Sequence, residues 1–363
     1  MSTSTKHDPR LDLLRTIAIF GTITIHTIHE VFARPDYVGG ASWWVADILN
    51  TLARTSIPLF IMISGALLFD KLTDIKAAWL RTVPRLITPL IFWAFWYRFV
   101  DWYWFGKSFD IFGMWHMFLN GNVYVFYFLV LLAGIYLAQP FVCAATKSST
   151  EPDKLILKIS LASLIIGCVY SLFGFLFFKD ASWWNAATLW MPYYGFFGLG
   201  YLIYNQSLKI KTWMALVSGL LGGFGILMGS YINVKMVGQE NYLLWHNSGG
   251  GTQYFDEYLT PFAIILSCCV FSLILKLESK LFSGKFGQHI NVFSQYSFGM
   301  YAVHSFVLQQ IEHNLRFTTQ GYSGSLLVFM GIKLSMAILG SLSLAWILSK
   351  VPLLSKISGT AVK

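Results

Sequence analysis

Three side chains near the N-terminus are of types that take part in chemistry, and their spacing puts them together. Arg15 and His26 bracket the apolar stretch RTIAIFGTITIH, and Glu30 follows four residues on. Eleven residues of α-helix turn through about 1100°, within about 20° of the starting face, and rise roughly 16 Å. A helix here would carry Arg15 and His26 on one stripe, separated by about half the hydrocarbon core of a bilayer. Glu30, at i+4 from His26, is placed to hold the imidazole by a hydrogen bond. Two readings of His26 stand at this point: a functional titratable ring, or a buried and satisfied histidine that packs two helices. Asp12, one turn before Arg15, reads as a local partner or an N-terminal helix charge.

A second set opens at AAWLRTVPRLITPLIFW, 77–93. Arg81 and Arg85 are four apart and share a helix face at a membrane boundary. Their guanidinium forks suit phosphate oxygens, while plain cationic anchoring explains such a pair equally simply. Pro84 and Pro89 predict a bent or interrupted helix, which would leave room for a cavity. In SFGMYAVHSFVLQ, 297–309, His304 stands alone on an apolar stretch at a depth like that of His26; its expected role is structural. Arg98, Lys158 and Lys333 are read as snorkelling from helix ends.

What must position these groups follows from composition. The chain has 363 residues, 56% hydrophobic and only 12% charged. A soluble domain carries about 25% charged residues, so this much apolar surface calls for a bilayer. The expected architecture is an all-α integral membrane protein, a single polytopic domain over 1–363. About ten stretches are long enough to cross: 11–32, 43–69, 83–106, 122–142, 155–178, 185–205, 212–233, 258–276, 293–312 and 324–349. With the N-terminus inside, fifteen Lys and Arg fall in cytoplasmic segments. Only Arg34, Lys107, Lys179, Lys235 and Arg316 fall outside. That bias predicts both termini in the cytoplasm. The first apolar stretch exceeds signal-peptide length and is read as a retained helix.

Other classes fall away. The net charge of +9 is assigned to loops facing anionic lipid rather than to nucleic acid. Cys143, Cys168, Cys268 and Cys269 lack CxxC spacing, so neither a disulfide framework nor a metal site is expected. NSGGGTQ, 247–253, lacks the pattern of a phosphate loop.

Taken in order, these stretches resemble the bacterial membrane acyltransferase family 3. RLDLLRTIAIFGTITIH at 10–26 is similar to its first-helix signature, a basic residue and a histidine with ten residues between them. IPLFIMISGALLF at 57–69 is similar to its second-helix phrase ending in Ser-Gly. RTVPRLITPLIFW at 81–93 resembles its arginine-rich third-helix start. FLVLLAGIYLAQPF at 128–141, YYGFFGLGYLI at 193–203 and SFGMYAVH at 297–304 resemble later phrases. Two departures stand out. The family usually spaces its arginines as RxxR, and Thr82 occupies the first of those positions, with Arg81 one residue early. A family His-Leu-Trp-Phe run reads VFYF here, at 125–128. In size, the chain looks most like short members related to enterobacterial common antigen O-acetyltransferase.

The resemblance implies an enzyme of the bacterial inner membrane. It would transfer an acyl group, acetyl by default, from cytoplasmic acyl-CoA to a hydroxyl of a cell-surface sugar, polysaccharide or lipid-linked sugar. Acyl-CoA is then a donor substrate, and no cofactor is bound permanently. His26 becomes the general base and Glu30 orients its ring. Arg15 contacts the donor or supports transition-state charge, and Arg81 and Arg85 clamp the CoA phosphates. The competing reading is a proton-coupled secondary transporter or lipid-linked glycan exporter, which also suits broken helices and midplane titratable groups. The absence of visibly repeated halves weighs against it.

Overall fold

The computed structural model describes residues 7–32, 35–119, 124–177, 185–237, 255 and 257–357. Every regular element among them is a helix. The glycine-rich stretch 247–253 lies outside the described residues.

The long apolar runs become helices because apolar side chains recur without a β-strand's alternation, and because in lipid only a helix satisfies each backbone group within its own segment. α1 is Pro9–Phe32, α2 Ala41–Ala53, α3 Ser56–Leu68, α4 Ile75–Thr82 and α5 Thr88–Phe105. α6 is Ile111–Leu119, α7 Tyr127–Lys147, α8 Pro152–Phe177, α9 Tyr194–Tyr204 and α10 Thr212–Val237. α11 is Pro261–Ile274, α12 Lys285–His313, α13 Leu326–Ser349 and α14 Pro352–Ile357.

Among the described residues six helical segments are long and apolar enough to cross a membrane: α1, the α2–α3 run through Lys71, α7, α8 over Pro152–Phe173, α10 over Thr212–Ile232, and α13. With the family assignment below, this makes the chain a multi-pass membrane protein. Ten crossings were expected. The differences are local and physical. Residues 185–205 are not one helix: turns occupy 186–193, and only the eleven residues of α9 follow, because Pro192 cannot donate the backbone bond a continuing helix needs. The segment expected at 122–142 runs five residues later, as α7. The segment expected at 293–312 begins at Lys285, as α12, a helix of 29 residues; polar side chains recur along its length, from Gln295 through His304 to Gln310, and leave it out of the six.

α1 lies at the centre, packed against α2, α3, α12 and α13. The apolar window of α1 is 61% buried, whereas that of α8 is 22% buried and leaves most of its side chains facing outward. Close helix approach depends on glycine. A Cβ at Gly65 of α3 would run into the backbone of Phe197 in α9, and one at Gly200 of α9 into the backbone of Met62 in α3. Small residues at such crossings let helix backbones meet in a bilayer. This accounts for the Ser-Gly phrase of α3 and part of the aromatic-glycine phrase of α9.

Candidate active site

Arg15, Arg81 and Arg85 line one cavity of about 760 Å3, together with Ser64, Tyr136 and Tyr301. The three guanidinium groups come from α1, α4 and the turn after α4, and all three act electrostatically on the Tyr136 hydroxyl. The Ser64 hydroxyl beside Tyr136 donates to the Phe60 carbonyl at 2.9 Å. Sequence spacing predicted a shared face for Arg81 and Arg85. It did not predict that Arg15, almost seventy residues away in the chain, faces the same space.

The backbone between the two arginines has a physical cause for its shape. Val83–Ile87 forms a π-turn, closed by the Thr88 N–H donating to the Val83 carbonyl five residues back. Pro84 and Pro89 each lack the N–H that an α-helical ladder would use there, which opens the ladder to this wider turn. Thr82 is fully buried, its hydroxyl donating to the Ala78 carbonyl at 2.7 Å. An arginine would not fit at that position, so Arg81 takes the place facing the cavity.

Arg15 is partly satisfied. Its Nη1 donates to Asp12 Oδ1 at 3.0 Å and to Ser294 Oγ at 3.5 Å, and Ser294 Oγ donates to the same Asp12 oxygen at 2.7 Å. His7 Nε2 lies 2.6 Å from Asp12 Oδ2. Asp12 is thus the local partner expected of it, and it also joins α1 to α12. Arg81 and Arg85 make no ion pair or hydrogen bond among the described residues; they present free cationic forks to the cavity.

His26 sits farther along α1. Many protein atoms crowd around it, yet its own surface is exposed. Its ring centroid lies 5.1 Å from that of His304 in α12. His304 in turn packs against Tyr301 at 5.8 Å, and Tyr301 lines the arginine cavity. The arginine cavity and His26 are thereby linked through two residues of α12. Arg54, at the break between α2 and α3, also lies near enough to act electrostatically on His26, as does His29.

Two expected roles change. Glu30 does not hold His26. Its Oε1 accepts the Thr319 N–H at 2.6 Å and the Thr319 hydroxyl at 2.9 Å, and its Oε2 is 2.5 Å from Lys333 Nζ. The i+4 spacing made a bond to His26 geometrically available, but a buried ammonium is the stronger partner. That ammonium is the second correction: Lys333 does not snorkel. It is fully buried and also donates to Glu312 at 2.7 Å. Lys158, by contrast, is exposed, as expected of a snorkelling side chain.

Sequence reasoning passed over three contributors. Ser64 and Tyr136 line the cavity, and the only signal was the Ser-Gly phrase. His304 was read as structural, although its match in depth to His26 pointed to a meeting of the two rings. No group of three or more His, Cys, Asp or Glu able to hold a metal occurs among the described residues.

A family model described as an acyltransferase domain matches residues 8–349, nearly the whole chain. No curated protein and no solved structure matches the chain. The family match runs through both the arginine cavity and the His26–His304 contact, and the chain belongs to acyltransferase family 3.

Proposed function

We propose that this member of acyltransferase family 3 moves an acyl group, acetyl by default, from cytoplasmic acyl-CoA to a hydroxyl of a cell-surface sugar or polysaccharide. The observation that carries this reading is the convergence of Arg15, Arg81 and Arg85 on one cavity whose wall residue Tyr301 packs on His304, the ring beside His26.

The chemistry follows from what each partner needs. Acyl-CoA carries several phosphate charges, and the free forks of Arg81 and Arg85 suit them. In this reading the Arg15 end of α1 faces the cytoplasm, as the charge bias of the loops favours. The pantetheine arm reaches inward along the α1 stripe toward His26. A sugar hydroxyl is a poor nucleophile at neutral pH. His26 takes its proton as the oxygen attacks the thioester carbonyl; the tetrahedral intermediate collapses with loss of the CoA thiolate, which takes the proton back from His26. General-base help of this kind contributes about 10²–10⁴-fold. The carboxylate of Glu30 is engaged elsewhere, so its part is to fix the end of α1 rather than to orient the ring.

The deciding experiment is mass spectrometry of surface glycans from cells carrying the wild type, no enzyme, or His26→Ala. The wild type adds one acyl mass, and His26→Ala, inserted at normal level, adds none. An acylated glycan in the His26→Ala cells removes His26 from the role of base. No mass difference between wild type and null removes the glycan as acceptor.

A further inference from the structure

His304 is more than a packing residue. It is fully buried, and its Nδ1 lies 2.6 Å from the Tyr301 carbonyl oxygen. A carbonyl only accepts, so Nδ1 carries the proton and Nε2 of the neutral ring is a bare lone pair. That Nε2 has no hydrogen-bond partner among the described residues, although it is shut away from solvent. A buried polar atom without a partner is costly. Such an orphan calls for a donor nearby, and the adjacent polar ring is His26, 5.1 Å away between centroids and tilted by 43°. The ring nitrogens of His26 make no hydrogen bond among the described residues either. Two rings that each have a nitrogen without a hydrogen-bond partner thus lie side by side.

The backbone of α12 is built to aim His304. The Tyr97 hydroxyl of α5 enters the helical ladder on either side of it. It accepts the Phe306 N–H at 2.9 Å and donates to the Ala302 carbonyl at 3.1 Å, so it pins α12 to α5 on both sides of His304.

We propose that His304 is a positioning residue for His26. Its bare Nε2 accepts the N–H of His26 that faces it, fixes one tautomer, and leaves the other nitrogen of His26 bare toward the acceptor hydroxyl. In the structure without substrates the two rings stand apart; catalytic hydrogen bonds commonly tighten only when substrate is bound. When His26 takes the hydroxyl proton, its second N–H remains bonded to His304, which stabilises the imidazolium as it forms. The proposal rests on the reading of His26 as base.

Two conservative substitutions separate the ring's two nitrogens. Asn places a polar group where Nδ1 lies and keeps the bond to the Tyr301 carbonyl. Gln reaches to where Nε2 lies and supplies an acceptor there. Membrane vesicles from the host, which hold the native acceptor, are supplied with labelled acetyl-CoA. His304→Gln is expected to keep turnover within about threefold of wild type. His304→Asn and His304→Ala lose 10- to 100-fold in turnover, with the KM for acetyl-CoA unchanged. A substrate-free measurement runs beside it: 15N spectra of the purified protein should show one fixed His26 tautomer in the wild type and in His304→Gln, and averaging between tautomers in His304→Asn.

Equal activity of the Asn and Gln variants overturns the proposal, because an acceptor at the Nε2 position would then make no difference; an active Asn variant beside an inactive Gln variant overturns it as well, because only the bond to the Tyr301 carbonyl would then matter. A defect confined to the KM for acetyl-CoA, or failure of all three variants to accumulate in the membrane, overturns it too. An active His26→Ala in the same vesicles defeats the reading of His26 itself. An inactive His26→Ala with three fully active His304 variants defeats only the positioning role.

Discussion

The two ends of α1 handle positive charge in opposite ways. At one end Arg81 and Arg85 face a cavity of about 760 Å3 with no anion from the protein, and Arg15 shares one carboxylate with a serine and a histidine. At the other end Lys333 is fully buried between Glu30 and Glu312, over the ring of Phe329 at 5.5 Å. Desolvating a cation is costly unless something compensates it. Where the protein supplies the anions itself, the charge is a strut that ties α1, α12 and α13. Where it withholds them, the cations stay open to an anion from outside: Arg85 is exposed, and Arg81 and Arg15 are half-buried. Local charge balance therefore separates a binding site from a structural tie better than residue type does.

The comparison can be broken most forcefully at the strut. Lys333→Met leaves two carboxylates facing each other and should cost about 3–5 kcal/mol of stability. A thermal melt of the detergent-purified protein reads this as a large downward shift. The double replacement Glu30→Gln with Glu312→Gln in the Lys333→Met background should recover much of it. An unchanged melt for Lys333→Met means that the network carries no weight.

The opposite signature is expected at the cavity. Arg85→Ala removes a charge-assisted contact worth about 1.5–3 kcal/mol to an anionic ligand, which is roughly 10- to 150-fold in the KM for acyl-CoA. The melt should stay where it is, since no protein anion is orphaned. Acceptor kinetics should also hold, and a defect confined to the acceptor contradicts the phosphate role.

The smallest effect expected lies away from both charges. Gly65→Ala forces α3 and α9 apart at their crossing and should cost about 1–3 kcal/mol by overpacking. Ser64 is its neighbour and lines the cavity, so a modest rise in the KM for acyl-CoA should accompany the lowered melt. A lowered melt with donor kinetics unmoved would show that the crossing does not tune the cavity.

Much of this arrangement was legible in the sequence, because it is local. The common stripe of Arg15 and His26 follows from helical periodicity, as does the shared face of Arg81 and Arg85. What escaped depends on pairing between distant segments. Lys333 near the start of an apolar run looks like any snorkelling lysine until Glu30, three hundred residues earlier, is brought against it. The same holds for His304 and His26. Glu30 misled for the converse reason: its spacing from His26 offered a bond that a better, remote partner pre-empted. The run at 185–205 misled because its composition is that of a membrane helix, and hydropathy does not register what a proline does to the backbone.

The π-turn after α4 has a consequence for how the arginine pair can vary. In an unbroken α-helix two residues four apart are offset by about 40° around the axis. Each residue in the wider turn advances by roughly 20° less, so the two steps that lie inside it rotate Arg85 back by about 40°. Arg81 and Arg85 thus come to lie nearly in line down the helix. The turn behaves as a phase shifter: it turns Arg85 back toward the line of Arg81, so that both arginines reach one cavity.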